Sequence, residues 1–533
     1  MRSLNNHIFL TVLCILLFFT GLGSTSLWDA DETSNARAAV EMMERGDYVV
    51  PTLNGSLRTD KPPLHYWFMI AAFRIFGTNE FAARFFTAVF GLLTVLLVNE
   101  VGTRVFGRTG GFISGLALAC SFLFSVSSRA ATTDAYLIFF TNLAVFAAFF
   151  SARRPALAVL SWISMGFAVL AKGPVGIVLP LGAIVIFAFF YRGSEFSFRR
   201  FCNPVGILIF LAIATPWYAL AAGRTGGDLI EGFFIKHNVA RFLKPMESHR
   251  GPFYFYFLVL LPGFFPWAVF LPQAFAATLR WRRSALKHAG FGLLLITWSL
   301  TVILFFSVAR TKLPTYILPA FPALSLMMGA LASSVETSFG MAERGFTLLW
   351  LISFLPAAFL PGIIFVAFSS RVPDLAAYSA AAAPMIAASV VGLIFCLAAR
   401  PLRAFRWAAY CAVLGLAGIH LVAAPALENV RMAPIAGRAV ARAASPDDAL
   451  ATLGYYRPGI VFYSGRNTVG VNSAEHVQKF IERPQGRFLI AGAEEFFRLP
   501  ETLRTRFRII EKGLDAADSN RVILVAERID QNL

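Results

Sequence analysis

The sequence predicts a multi-span α-helical integral membrane protein with a small α/β domain at its C-terminal end. Three observations predict it. Hydrophobic residues fill 57% of the 533 positions and charged residues only 14%, where a soluble domain carries about a quarter. Apolar runs of about twenty residues, the length of a bilayer-crossing helix, recur from residue 7 to residue 425. Beyond residue 425 the runs become short and β-rich, as in "DALATLGYY", "RFLIAGA", "RFRIIEK" and "NRVILVAE", with polar helical stretches between them.

The apolar runs fall near 7–24, 82–101, 110–127, 134–151, 155–171, 174–191, 204–222, 254–274, 290–308, 313–333, 345–367, 380–399 and 405–425. That gives about thirteen spans. The first run is long, and no small-x-small cleavage site follows it, so it reads as a retained helix. One set of loops is basic: Arg104 and Arg108, Arg153 and Arg154, Arg192 to Arg200, Arg280 to Lys287, Arg400 to Arg406. Such loops face the cytoplasm, and the N-terminus lies with them. An odd number of spans then puts residues 426–533 outside. The net charge of +17 sits in these short loops, which is a topology signal and not a nucleic-acid surface. Cys14, Cys120, Cys202, Cys396 and Cys411 show no paired spacing, so neither disulfides nor a thiolate metal site is indicated.

The opposite loops differ in kind. They comprise residues 25–81, "SSRAATTDAY", "LAKGPVG", the stretch 223–253 and "ARTKLPTYILP". Charges of both signs abut apolar helices there, although each costs several kcal/mol of order without a partner or a task. Cations outnumber carboxylates, which suits a phosphate-bearing ligand. "WDADETSNARAAVEMMERGDY" shows helical periodicity, with Ala36, Ala39, Val40 and Met43 on one face and Arg37, Glu41 and Glu44 on the other. It reads as an interfacial helix with a solvated polar face. Asp29 or Asp31 could cap it, which explains one acid and leaves the others. A turn is expected at Asn54-Gly55. Pro62-Pro63 stiffens the backbone behind Asp60 and Lys61, which makes Lys61 a candidate phosphate contact. Tyr66, Trp67 and Phe68 read as an interfacial aromatic anchor.

"DADET", "RGDYVVPTLNG", "DKPPLHYW", "GTNEFAARF", "LAKGPVG", "TPWY" and "KLPTYILPAFP", in that order, resemble the ArnT branch of the GT-C glycosyltransferases, relatives of the protein O-mannosyltransferases. The resemblance runs over residues 10–330 and more loosely over 340–425. It implies a GT-C transmembrane domain over 1–425 and a periplasmic α/β domain over 426–533, in a bacterial inner membrane. It implies a sugar donor on undecaprenyl phosphate, usually 4-amino-4-deoxy-L-arabinose, and lipid A as acceptor. Asp31 and Asp134 match the family's catalytic acids. Lys61, Lys172, Tyr316 and an arginine of the 223–253 loop, Arg241 or Arg250, match donor-phosphate residues. Asp60 stands where the family has a glutamate that binds a divalent metal (Zn, or Mg or Mn) with a histidine, here His237 or His249. "DETSN" departs from the family's "DETRY" at Ser34 and Asn35.

The chemistry follows from the groups. A sugar on a prenyl phosphate carries its own leaving group, so no nucleotide cofactor is needed. The departing phosphate needs cations, and the anomeric carbon needs a nearby carboxylate. A hydroxyl acceptor, on another glycan or a protein, would need that carboxylate as base; an ionised lipid A phosphate would not. A lipid or sugar transporter is disfavoured, since transporters place ionisable groups at mid-membrane and these gather at one face. "GYYRPGIVFYSG" could turn Tyr455, Tyr456 and Arg457 toward the site, although a lid or stabilising role for the C-terminal domain is the simpler expectation.

Sidedness is directly testable. A cysteine placed at Ser56 should react with a membrane-impermeant thiol reagent in the periplasm, and one at Ser284 only after lysis. The reverse pattern would overturn the topology.

Overall fold

The computed structural model describes residues 2–244, 250–283, 289–337, 401–515 and 521–529, with positions 390, 391 and 394 besides. The expected runs at 345–367 and 380–399 lie essentially outside the described residues, as does His249. Among the described residues, five helices are long and apolar enough to cross a membrane, or six if one bent pair is a single span. Five shorter apolar helices accompany them. The protein is a multi-span helical membrane protein.

Helix α1, Arg2–Cys14, runs on as a π-helical stretch, Ile15–Phe19. The first large loop then contains α2, Asp31–Arg45, a hairpin of β1, Thr52–Leu53, and β2, Ser56–Leu57, and an apolar helix α3, Leu64–Phe76. Asn54 and Gly55 both have positive φ, 55° and 76°, which is the two-residue turn that asparagine and glycine favour. Helix α4, Glu80–Ala119, starts at Asn79, whose side chain accepts the Ala82 N–H at 2.8 Å. It breaks at Gly107, φ 80°, so the run at 82–101 and the first part of the run at 110–127 are its two limbs. Helices α5, Phe122–Ser127, α6, Asp134–Phe150, α7, Ala156–Lys172, α8, Val175–Phe190, and α9, Pro204–Thr225, follow. The run at 254–274 is not one straight span. It bends by 118° between Phe255–Gly263 and Ala268–Arg280, at a stretch holding Pro262 and Pro266, where a helix cannot continue. Helix α10, Ala289–Val308, and α11, Phe321–Thr337, close the described bundle before Pro401–Gly418, and α11 packs along α4.

Residues 432–528 hold a five-stranded sheet. Its strands are β3, Ala449–Leu453, β4, Thr468–Val471, β5, Gly486–Gly492, β6, Phe507–Asp515, and β7, Arg521–Arg528, in the order β4-β3-β5-β7-β6. The β3–β4 and β3–β5 pairs are parallel and the others antiparallel. Alternate residues feed two cores. Leu450, Phe488, Ile490 and Val525 pack with the helix Met432–Ala443, and Ala451, Leu489, Leu524 and Ala526 pack with Val477, Phe480 and Phe496.

This α/β unit clasps the first loop. Asp29 accepts the Gly459 N–H at 2.7 Å, and the Asn54 side chain bonds both Thr468 N–H (2.7 Å) and Thr468 C=O (3.0 Å). Arg431 donates to the Ser26 and Leu27 carbonyls, and Arg438 pairs with Glu80 at 2.8 Å. The clasp explains one departure from expectation. Two of the three polar residues named on α2 are not solvated: Arg37 and Glu41 are each 4% exposed and paired at 3.0 Å, and Arg37 also reaches Asn467, while Glu44 stays exposed. Tyr455 points into the α/β unit, bonded to Asp515, while Tyr456 stays exposed. Nor is the "HYWF" stretch simply an interfacial anchor. Tyr66 is fully buried and accepts from Arg58 at 3.0 Å, although Trp67 does reach the Tyr48 carbonyl at the surface.

Glu32 and Arg84 form a buried pair at 2.7 Å, 2% and 4% exposed. Glu32→Leu would leave Arg84 charged without its counter-ion, at a cost of about 3–5 kcal/mol. Glu100→Leu, which removes an exposed partner of Arg104, should cost under about 1 kcal/mol. Thermal inactivation half-lives in detergent compare the two. Equal half-lives would contradict the role given to the buried pair.

Candidate functional site

A cavity of about 430 Å³ opens where the mixed-charge loops meet. Asp31, Asn35, Asp60, Lys61, Asp134, Lys172, His237, Arg241 and Tyr316 line it, with apolar walls from Val175, Val178, Phe233, Phe305 and Phe306. Seven of the residues singled out in the sequence besides Asp31 thus meet it in one space, drawn from five separate stretches of chain. Arg250 does not line this cavity. It lies in a neighbouring depression with Arg310.

The acids of "DADET" divide their work. Asp29 is taken by Gly459 and by the Thr33 hydroxyl, at 2.5 Å. Glu32 is taken by Arg84, by the Trp28 N–H and by the Ala131 N–H. Burial alone would raise its carboxyl, but Arg84 holds it below its ordinary value. The residue preceding α2 is Ala30, which has no capping side chain, so these acids do not serve as its N-cap. Asp31, the first residue of α2, is exposed and faces the cavity.

Asp134 begins α6 and is nearly buried. It forms an ion pair with Lys172 and accepts a long bond from Thr132 at 3.5 Å. Lys172 ends α7 and lies 5.1 Å from the centre of the Tyr316 ring. Gly173 makes this placement work. Its φ is 76°, and an added Cβ would stand 2.4 Å from the Phe233 ring, so the π-helical stretch Gly232–Ala240 closes over the turn only because no side chain is there. That explains why "AKGP" ends the helix with its lysine in the cavity.

Lys61 makes no hydrogen bond or ion pair among the described residues. Burial, and next the charge of Lys172, push its ammonium below the ordinary lysine value, against the pull of Asp31 and Asp60. A part-buried cation without a partner among the described residues is suited to receive an anion. Asp60 is held from beneath by Arg58 at 3.1 Å. Burial would raise its carboxyl, but Arg58, Lys61, His237 and Arg241 keep it below its ordinary value. Sequence reasoning missed Arg58, because one more arginine in "SLRTDKPP" carries no pattern of its own. In the structure it is 7% exposed and bonds Tyr66, Asn35 and Asp60 together. It also missed Asn35, which joins Arg58 to the Ala131 carbonyl at 3.1 Å, at one of the two positions where "DETSN" departs from the family pattern.

Asp60 and His237 approach to 3.5 Å, and burial holds the imidazole below its ordinary value. Two donors are fewer than a zinc site uses. Among the described residues no group of three or more His, Cys, Asp or Glu could hold a metal ion. Asp60 already answers Arg58 and faces Lys61 and Arg241. The described residues therefore do not by themselves fit a metal centre, and no step is routed through one.

Residues 60–219 match the model of a family described as dolichyl-phosphate-mannose-protein mannosyltransferase. The chain is 30% identical over 426 residues to undecaprenyl phosphate-α-4-amino-4-deoxy-L-arabinose arabinosyl transferase 1 of Sodalis glossinidius, covering 76% of this chain and 73% of that one. The chain belongs to the ArnT-like GT-C glycosyltransferases. An uncharacterized protein of Aquifex aeolicus is 32% identical over 350 residues, 66% of this chain and 79% of its own. The crystal structure of ArnT from Cupriavidus metallidurans bound to undecaprenyl phosphate superposes with a TM-score of 0.78 at 23% identity, covering 97% of both chains. As an ArnT-like enzyme, the protein is a membrane glycosyltransferase dependent on a lipid carrier. The matched region 60–219 contains Asp60, Lys61, Asp134 and Lys172, whereas Asp31, His237, Arg241 and Tyr316 reach the cavity from outside it.

If Lys61 binds phosphate, its lowered pKa sets a pH dependence. The ammonium is present below that pKa and lost as pH rises through it, so KM for the donor should climb at a lower alkaline pH than an ordinary lysine would give. Lys61→Arg should move that rise upward, since arginine stays charged. Lys61→Ala should raise KM about tenfold or more. Initial rates between neutral and alkaline pH measure both, and a wild-type profile in Lys61→Arg would contradict the assignment.

Proposed function

We propose that the protein transfers 4-amino-4-deoxy-L-arabinose, or a closely similar sugar, from undecaprenyl phosphate to a phosphate of lipid A. The reaction is placed on the periplasmic face of the bacterial inner membrane. The observation that carries this reading is that one cavity brings Asp31, whose carboxylate has no hydrogen bond or ion pair among the described residues, together with three cations, Lys61, Lys172 and Arg241. The sugar and acceptor are drawn from the named function of the Sodalis relative and from the motifs it shares with this chain.

The groups divide the task by charge. An acceptor phosphate oxygen attacks the anomeric carbon, and the bond from that carbon to the carrier phosphate breaks. The carrier leaves as a phosphate anion, neutralised by Lys61, Lys172 and Arg241 in a low-dielectric cavity where such contacts count most. An ionised phosphate acceptor has no proton to lose. Asp31 is then free to stabilise positive charge on the sugar ring or to hold the sugar's amine. Asp134, already engaged by Lys172, acts by fixing that lysine's position. Tyr316 lies against the same ammonium. The apolar walls accept the first isoprene units of the carrier.

The match to a mannosyltransferase model favours a second reading, transfer to a hydroxyl on a protein or another glycan. There Asp31 would serve as general base. Mass spectrometry of lipid A from cells with and without the protein separates the two. The first reading expects an added aminopentose on lipid A, and unmodified lipid A would sink it. Asp31→Asn should lower transfer by about two to three orders of magnitude while leaving the melting behaviour intact. Near wild-type turnover in a purified assay would remove Asp31 from the chemistry.

A further inference from the structure

Next to the catalytic cavity lies a second depression, of about 650 Å³, lined by Leu243, Arg250, Gly251, Pro252 and Arg310. Leu243 lines both spaces, so they share a wall. The backbone holds this geometry. Arg250 pairs with Thr311 in an antiparallel bridge, Arg310 N–H donates to the Phe242 carbonyl at 2.9 Å, and the Thr311 hydroxyl donates to the Lys244 carbonyl at 3.0 Å.

The cations of "ARTKLP" do different things here. Lys312 is 4% exposed and spends its ammonium on the carbonyls of Phe306, Ser307 and Ala309, at 3.2, 2.7 and 2.8 Å, which caps the end of α10. Arg310 and Arg250 are exposed and make no carboxylate pair among the described residues. Around them the surface is apolar. Leu243 and Val308, close to Arg250 or Arg310 in the chain, are exposed, as are Phe253, Tyr254, Phe257 and Leu258. Two guanidinium groups without a carboxylate partner among the described residues, in a depression whose neighbours along the chain are exposed and apolar, match a ligand with an anionic head and acyl chains.

We propose that Arg250 and Arg310 moor the phosphate of the acceptor glycolipid, with its acyl chains lying along the flanking apolar residues. This rests on the reading of lipid A as acceptor. In the proposed reaction Lys61, Lys172 and Arg241 of the first cavity take the donor's single phosphate, which leaves the arginine pair for a second phosphate-bearing lipid. The shared wall at Leu243 brings the two headgroups side by side, as a transfer between two lipids requires. Arg250 thereby takes the acceptor's phosphate and not the donor's.

Binding without turnover tests it, using the full-length protein in zwitterionic nanodiscs. The probes are bis-phosphorylated lipid A, its dephosphorylated counterpart, phosphatidylglycerol and undecaprenyl phosphate. Wild type should prefer phosphorylated over dephosphorylated lipid A by about tenfold or more, the scale of charge-assisted bidentate contacts. The Arg250→Ala/Arg310→Ala double variant should lose that preference while binding undecaprenyl phosphate within about twofold of wild type. The Arg250→Lys/Arg310→Lys variant should recover part of it, which separates lost charge from lost folding. A preference kept by the alanine variant overturns the mooring alone. So does an equal loss of undecaprenyl phosphate binding, which would return the pair to the donor. Phosphatidylglycerol competing at parity would make this a general anionic-lipid site. A wild type that binds no lipid A in any form would sink the acceptor reading with it.

Discussion

Much of the site depends on one buried ion pair. Glu32 and Arg84 meet at 2.7 Å in a region closed to solvent, and each uses its remaining valence to fix backbone. Arg84 takes the carbonyls of Leu22, Thr25 and Ser26. Glu32 takes the N–H groups of Trp28 and Ala131. The end of the first membrane helix, the start of α2, the start of α4 and the loop that carries Asp134 are therefore tied at one point. A pair of this kind is weak evidence for stability, because desolvation offsets its attraction. Its value here is positional. Asp31 sits next to Glu32 in sequence, and Asp134 three residues beyond Ala131. Asn35 and His65 add to the tie, both bonding the Ala131 carbonyl at 3.1 Å.

That arrangement explains why acids crowd beside the membrane. An acid there needs a partner, and of Asp29, Asp31, Glu32 and Asp60 three have one among the described residues. Asp29 is held by the α/β unit, Glu32 by Arg84 and Asp60 by Arg58. Their partners supply the rigidity that lets Asp31 stay exposed to the cavity. The same division holds for the cations. Arg84, Arg58 and Lys312 are structural and satisfied, while Lys61, part-buried, has no partner among the described residues. Electrostatic preorganisation of this sort costs stability when the cavity is empty and returns it when an anion arrives.

The sequence made some of this legible and concealed the rest for definite reasons. Helix positions followed from long apolar runs, because a bilayer leaves the backbone few alternatives. The turn at Asn54-Gly55 was readable because such a turn demands a positive φ. Residues such as Asp60, Lys61 and Lys172 stood out because a charge beside an apolar run is conspicuous. The bent stretch at 254–274 was misread as a straight span, since hydropathy does not register direction and its prolines alone do not fix an angle. Arg37 was misread as solvated for a different reason. Periodicity shows that a helix has a polar face but not that another part of the same chain will cover it. Arg58 and Arg84 looked like any other loop or helix-end arginine. What distinguishes them is burial, a property of the assembled fold.

The α/β unit gains a meaning from the same contacts. Its sheet carries a hydrophobic core on each face. Its contacts with the bundle concentrate on the segment from Ser26 to Asn54, on either side of Asp31. The hairpin at Asn54 leads directly into Arg58, Asp60 and Lys61. Fixing its tip to Thr468 limits how far those residues move. Loops of this length are ordinarily the mobile part of a membrane enzyme. Here both ends of the reactive segment are pinned, one through Glu32 to the bundle and one through Asn54 to the sheet. The unit thus does more than sit as an added domain beside the enzyme, because it sets the geometry in which one carboxylate and one unpaired lysine face the same cavity.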